Sequence, residues 1–125
     1  NAYIARQNNR ISGFILPLIA RDGYNGDIAL LLGINIDGTV SGVRVNSHRE
    51  TPGLGDLIDL RVSDWILAFN TRSLNNPDPS GWTVKKNGGA FDQFTGATIT
   101  PRAVTVAVGK ALEFFNLNKT VLMAL

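Results

Sequence analysis

Residues 11–19, Ile-Ser-Gly-Phe-Ile-Leu-Pro-Leu-Ile, are apolar and β-branched enough to predict a buried strand. Asp22-Gly23-Tyr24-Asn25-Gly26 follows and predicts a turn. The stretch "DIALLLGINIDGTVSGVRVNSH" then reads as two β-rich runs separated by Asp37-Gly38, the turn chemistry of a two-residue hairpin. In its second run Val40, Val43 and Val45 are expected to face a core. Gly42, where the alternation breaks, is expected to mark a bulge. Ser63 before "DWILAFN" predicts a short helix whose first orphan amide the serine oxygen accepts. Residues 82–86 predict another short strand, closed by Asn87-Gly88-Gly89.

From Thr100 the period changes. Val104, Ala107, Val108, Ala111, Leu112 and Phe115 recur at three- and four-residue spacing, with Thr100 as the expected N-cap and Pro101 at the first helical position. An apolar stripe of that kind covers a sheet, so the expected fold class is α+β: a mainly antiparallel sheet packed against helices. The only linker-like stretch, residues 75–81, reads as a loop inside one domain covering residues 1–125.

Composition narrows the chemistry. The length, 125 residues, suffices for one core without disulfides or a structural metal. A formal charge of +2, with cations interleaved among acids, gives no polybasic tract, so no nucleic-acid partner is expected. The absence of cysteine removes thiolate catalysis and iron–sulfur ligation, and a single His removes a multi-histidine metal site. No dinucleotide fingerprint or P-loop occurs. The spacing of Asp56, Asp59 and Asp64 fixes no acid–base geometry for hydrolysis, and Trp65 and Trp82 read as core. The longest apolar runs fall short of the ~20 residues a spanning helix needs.

The run "FDQFTGATITPRA", residues 91–103, gathers hydroxyls and small residues just before the helix. A helix starting there points unpaired amides and the positive end of its dipole at Thr98 and Thr100, where an anion such as a phosphate is favoured. Gly96 permits positive φ or close approach, and Ala97 keeps bulk away. From spacing alone, a capped helix after a polar turn accounts for the same residues. Lys85 and Lys86, adjacent on the expected strand, would point to opposite faces, one of them available to a phosphodiester or a reduced flavin. His48 reads either as a loop residue or as a neighbour of such a ligand.

"DQFTGAT" resembles the Asp-x-x-(Ser/Thr)-Gly-Ala-Thr motif of bacterial flavoproteins that carry FMN through a phosphoester to threonine. "HRETPGLGD", residues 48–56, is similar to the His-x-Glu-Thr-Pro-Gly-Leu-Gly segment of the G subunit of the Rnf/Rsx electron-transport complex. The related C subunit of the sodium-pumping NADH:quinone reductase shares its Glu-Thr-Pro-Gly-Leu-Gly core. The similarity runs from Gly23 to Val108 and includes "GYNGDIALLLGI" and "WTVKKNGGAFDQFTGATITPRAV".

The resemblance implies FMN joined covalently to Thr98, with Asp92, Thr95, Gly96 and Ala97 as recognition and docking elements for a Mg-dependent flavin transferase. It also implies that Glu50, Thr51, Pro52, Gly53, Leu54 and Gly55 form a turn presenting amides to a flat ring, with Lys85 beside the cofactor. Pro52-Gly53 suits the central positions of a type II turn. By the same resemblance the chain is an electron-carrying subunit of an ion-translocating oxidoreductase rather than a stand-alone enzyme. It would not bind NADH itself. It would face the periplasm at the inner membrane and partner with membrane subunits that include another flavoprotein. The family's N-terminal membrane helix is missing from the sequence, which starts at Asn1. A sensory FMN module and a non-redox anion-binding domain are the competing expectations.

Overall fold

In the first half of the chain, one set of apolar residues two apart falls on a single buried side of a sheet. In the computed structural model, which describes residues 2–124, Phe14, Leu16, Leu18 and Ala20 stand opposite Ile34, Leu32, Leu30 and Ile28. All but Leu18 are buried. The strands are β1 (Tyr3–Gln7), β2 (Arg10–Gly23), β3 (Gly26–Asn35) and β4 (Val40–Ser47), antiparallel and in sheet order β1-β2-β3-β4. Helix α1 (Ile99–Met123) lies against β2 and buries Val104, Val108, Leu112 and Phe115, the Phe115 ring sitting 5.6 Å from that of Phe14. Each large side chain so buried contributes about 1.5–3 kcal/mol of transfer free energy. The expected α+β class is therefore realised, with one long helix and four short 3₁₀ turns among the described residues.

The predicted strand at residues 11–19 is the middle of the longer β2, and the expected turn after it is tight, Tyr24 and Asn25 linking the paired Gly23 and Gly26. Pro17 is tolerated in β2 because β1 pairs only as far as Ile15, leaving Pro17 on an edge. β1 itself was not foreseen. Its hairpin turns at Asn8 and Asn9, both at positive φ (53° and 66°), which is the primed geometry that asparagine accepts.

Two turn and strand expectations are corrected. Asp37-Gly38 does not form a two-residue hairpin: the loop spans residues 36–39, closed by the Asn35 amide donating to the Thr39 carbonyl at 2.8 Å. Asp37 instead accepts from both the amide and the hydroxyl of Thr39, which locks the longer loop and holds its carboxyl below the usual range. The bulge expected at Gly42 is present as one extra residue, Ser41, between the Ile34–Val40 and Gly33–Gly42 pairs. Val40 and Val43 are buried, and Val45 is half-buried against the core.

Residues 82–86 form no strand. Val84 makes one isolated bridge to Phe91, and Lys85–Asn87 is a 3₁₀ turn, so Lys85 and Lys86 do not alternate across a sheet. The helix expected after Ser63 is a short 3₁₀ segment, Trp65–Phe69, with the Trp65 amide on the Ser63 hydroxyl at 3.1 Å.

The long connection from β4 to α1 is held by rings. Phe69 stacks on Phe91 at 4.7 Å, Phe91 meets Trp82 at 5.1 Å, and Trp65 packs edgewise on Phe69 and Phe94 at 5.3 and 5.2 Å. Offset and edge-on contacts at these spacings are favoured by the ring quadrupoles. Both tryptophans thus belong to this cluster. Trp82 also presses on α1 at Gly109, where an added Cβ would lie 2.8 Å from the Trp82 Cβ.

Gly109→Ala therefore overpacks the helix against Trp82. Although alanine is the better helix former by about 1 kcal/mol, a loss of roughly 1–3 kcal/mol from overpacking prevails, and thermal melts should show a lowered midpoint.

Candidate functional site

Two β-turns face each other at one end of the sheet. In the first, Pro52 and Gly53 occupy the central positions, the Leu54 amide donates to the Thr51 carbonyl at 3.0 Å, and Gly53 has φ 79°. In the second, Thr95 and Gly96 are central, the Ala97 amide donates to the Phe94 carbonyl at 3.1 Å, and Gly96 has φ 76°. A positive φ at the third residue is what a type II turn requires, and glycine supplies it without steric cost. The expected turn at Pro52-Gly53 is thus present. The Leu54 side chain reaches across to Gly96, 3.6 Å from where a Cβ would stand.

Between the turns lies a cleft of about 220 Å³ lined by Tyr24, Thr51, Leu54, Gly55, Gly96, Ala97, Thr98, Ile99 and Thr100. Helix α1 begins at its floor. The helix starts at Ile99 with Thr98 as N-cap, two residues earlier than expected, because the Arg102 amide reaches the Thr98 carbonyl at 3.3 Å. Pro101 thus stands third in the helix. Thr98 is half-buried and its hydroxyl makes no capping bond. The amides of Ile99 and Thr100 precede the first helical bond, so the cleft receives the positive end of α1.

Thr100 is not the cap. It is buried, and its hydroxyl donates to Glu50 Oε1 at 2.6 Å. The same carboxylate accepts the amides of Tyr24 and Asn25, each at 2.9 Å, and Asn25 Nδ2 donates to Thr51 Oγ1 at 3.2 Å. Gly55 is needed at this crossing: a Cβ there would lie 2.7 Å from Thr100 Oγ1 and 2.8 Å from Glu50 Cβ. His48 Nδ1 accepts the Glu50 amide at 2.9 Å, which directs its Nε2 toward Asp59 Oδ2, 3.9 Å away.

The sequence-predicted residues therefore separate into groups. Thr51, Leu54, Gly55, Gly96, Ala97 and Thr98 line the cleft; Pro52 and Gly53 shape one wall, and Glu50 lies behind it. Lys85 and Asp92 meet each other, Nζ to Oδ1 at 2.8 Å, on exposed surface outside the lining, and Thr95 is exposed at the second turn. Tyr24 and Ile99 line the cleft and were not anticipated. The tight turn after β2 was legible, and its aromatic residue was the one signal that it carries more than a chain reversal.

A larger concavity, about 820 Å³, runs between β2 and α1, but no motif residue lines it and its walls are mainly aliphatic. Among the described residues no cluster of His, Asp and Glu suits a metal ion, and no helix is long and apolar enough to cross a membrane.

Two glycine turns, a threonine hydroxyl without a capping bond and a helix start enclose the cleft on an antiparallel α+β frame. The chain belongs to the FMN-binding domain family, whose model matches residues 23–113. It is 54% identical over 123 residues to the G subunit of the ion-translocating oxidoreductase complex of Vibrio atlanticus, covering 98% of this chain and 59% of that protein. It is 53% identical over 123 residues to the corresponding G subunit of Pseudomonas aeruginosa, covering 98% and 58%. The chain thus spans about three fifths of the length of these curated relatives. Among solved structures, Shewanella oneidensis NqrC shares the fold, with a TM-score of 0.68 at 24% identity, over 95% of this chain and 60% of that one.

Beside the cleft, Arg61 chelates Asp59 through Nε and Nη2, the latter at 2.7 Å, and donates its amide as well. The Arg61 side-chain bond, then its amide, hold the Asp59 carboxyl at about 2 against an ordinary 3.8. A depressed carboxyl stabilises the fold in its ionised form, so this contribution is complete above the ordinary value and is lost as pH falls through the depressed one. The stability difference between wild type and Asp59→Asn should accordingly shrink between about pH 5 and about pH 2 in urea titrations. Salt should also reduce it at the upper pH, because Arg61 is exposed.

Proposed function

We propose that this chain is the FMN-carrying domain of an electron-transfer subunit in a membrane-bound, ion-translocating oxidoreductase complex, with the flavin joined through its phosphate to Thr98. The observation that carries this reading is the placement of the Thr98 hydroxyl: it lines the cleft, caps no amide and sits at the start of α1. A phosphoester there leaves the remaining anionic phosphate oxygens near the positive end of a 25-residue helix, which favours them.

The residues present fit the group. The cleft is smaller than the 300–1,000 Å³ of most small-molecule sites, so it would take the phosphate end and leave the flat ring to the rim, where Tyr24 is 67% and Leu54 39% exposed. When bound, FMN supplies the electron-carrying chemistry. The chain's own share is to hold the phosphate at Ile99 and Thr100, to offer Tyr24 and Leu54 as apolar surfaces, and to leave one side open for a redox partner. Retention by a covalent bond suits a carrier that faces the periplasm, where a dissociated cofactor would be lost.

Asp92 and Thr95 take a different part. Both are exposed and outside the cleft lining, which suits recognition by a Mg-dependent flavin transferase better than contact with the cofactor. Lys85 then orders Asp92 for that recognition. The membrane subunits of the complex, one of them a further flavoprotein, are the partners this reading assigns, and the inner membrane is the site of assembly. The names of the Vibrio and Pseudomonas relatives, each a subunit of an ion-translocating oxidoreductase complex, support partnership with other subunits.

The test is flavin fluorescence in denaturing gels, with mass spectrometry of the peptide containing Thr98, after export and coexpression with the transferase. Wild type should retain fluorescence and carry added FMN mass, and Thr98→Ala should lose both entirely. A wild-type protein that stays dark under these conditions overturns the reading. Copurification with membrane subunits tests the assembly.

A further inference from the structure

The two walls of the cleft come from distant parts of the chain, and one side chain joins them. Tyr24, on the β2–β3 turn, forms one wall and the start of α1 the other. Glu50 is 5% exposed and does not line the cleft, yet it accepts two amides from the first wall and the Thr100 hydroxyl from the second. No Lys, Arg or His among the described residues pairs with its carboxylate. Its charge is met by hydrogen-bond donors and by the field at the start of α1.

The Tyr24–Asn25 turn has no apolar anchor, since Tyr24, Asn25 and Gly26 are all exposed. Beyond the Gly23–Gly26 pairing of the hairpin, its place over the cleft therefore depends on polar ties: the two bonds to Glu50 and the bond from Asn25 to Thr51. Gly55 is bare where Glu50 passes to Thr100, so the crossing is accommodated by the neighbouring backbone. His48 fixes the Glu50 main chain from behind.

We propose that Glu50 is a positioning residue: it contacts no cofactor and sets the spacing between Tyr24 and the start of α1, and with it the constraint on the bound ring. This rests on the flavin reading given above. The role differs from that of the cleft-lining residues, because Glu50 acts through Tyr24 and Thr100 rather than on the ligand.

The test has two arms on the exported chain, the first made without the transferase and the second with it. The first is amide hydrogen exchange on protein without flavin, obtained by omitting the transferase, in wild type, Glu50→Ala, Glu50→Gln and Thr100→Val. Loss of a buried acceptor should raise exchange at Tyr24 and Asn25 about tenfold or more in Glu50→Ala, and less in Glu50→Gln, which keeps one acceptor oxygen. Thr100→Val, altered only at the helix, should raise it at Tyr24 and Asn25 as well. The Asn35 and Gly38 amides of the remote β3–β4 loop serve as the control and should not change.

The second arm is iodide quenching and anisotropy of the flavin in loaded wild type and Glu50→Gln. Quenching should rise about twofold or more and anisotropy should fall in the variant, as a loosened wall exposes the ring. Unchanged exchange at Tyr24 and Asn25 in Glu50→Ala overturns the proposal. So does a response to Thr100→Val confined to α1, or a ring equally shielded in both loaded proteins despite raised exchange, which would make Glu50 a fold-stabilising residue only. A wild type without flavin would overturn the carrier reading and with it the ring constraint, while the exchange arm would still report whether Glu50 couples the two segments.

Discussion

The crossing of Glu50 over Gly55 to Thr100 is the constraint on which the functional end of this domain depends. A buried carboxylate without a cationic partner is costly unless its oxygens are fully used. Here both are, by two main-chain amides and a hydroxyl from segments 26, 25 and 50 residues away in sequence. That requirement explains the composition of the surrounding motif. Gly55 removes the Cβ that would separate Glu50 from Thr100, and the Pro52-Gly53 turn brings the chain back quickly enough for Leu54 to face Gly96. Thr51 secures the side chain of Asn25, and Asp56 accepts the Gly53 amide at 2.9 Å. The motif is thus chiefly a device for assembling walls, with few of its side chains turned toward the space between them.

The sheet and α1 supply the frame that makes this crossing possible. The packing of Phe115 on Phe14 and the burial of Val104 and Val108 fix the helix against β2, so its start falls beside the β2–β3 turn. The aromatic cluster then holds the second glycine turn in place from the other side. Phe94 belongs both to that cluster and to the turn, and Trp65 Nε1 donates to the Asp92 carbonyl at 2.9 Å just before it. Core and site therefore share residues at their boundary.

Much of the frame was legible because it follows from periods and turn residues. The two-residue alternation of Ile28 to Ile34 and the three- and four-residue spacing of Val104 to Phe115 each identify a face that must be buried. Elements defined by long-range contact were not legible. Residues 82–86 have strand composition, but Trp82 is claimed by the aromatic cluster, Val84 is buried with a single bridge to Phe91, and the chain turns at Lys85. At Asp37 the bonds to Thr39 outweigh the tight-hairpin preference of Asp-Gly. The glycines and threonines of the cleft could be read from their motifs. The burial of Glu50 and the entry of Tyr24 could not, since both arise from one turn folding back onto a carboxylate far along the chain.

The same long-range bond also distinguishes among the threonines around the start of α1, which local spacing alone does not separate. Thr95 lies at the outer position of its turn, exposed and outside the cleft lining. Thr100 lines the cleft, but its proton is committed to Glu50 at 2.6 Å, and moving it would leave a buried carboxylate short of a donor. Thr51 likewise lines the cleft with its oxygen engaged by Asn25. Thr98 alone among them combines a place in the cleft with a hydroxyl free of protein bonds, beside amides that no helical carbonyl can reach. Under the proposed reading, an ester formed at that oxygen would remove no hydrogen bond from the fold. The protein thus separates the threonine that holds the walls together from the one it leaves free, and Glu50 is what makes the two different.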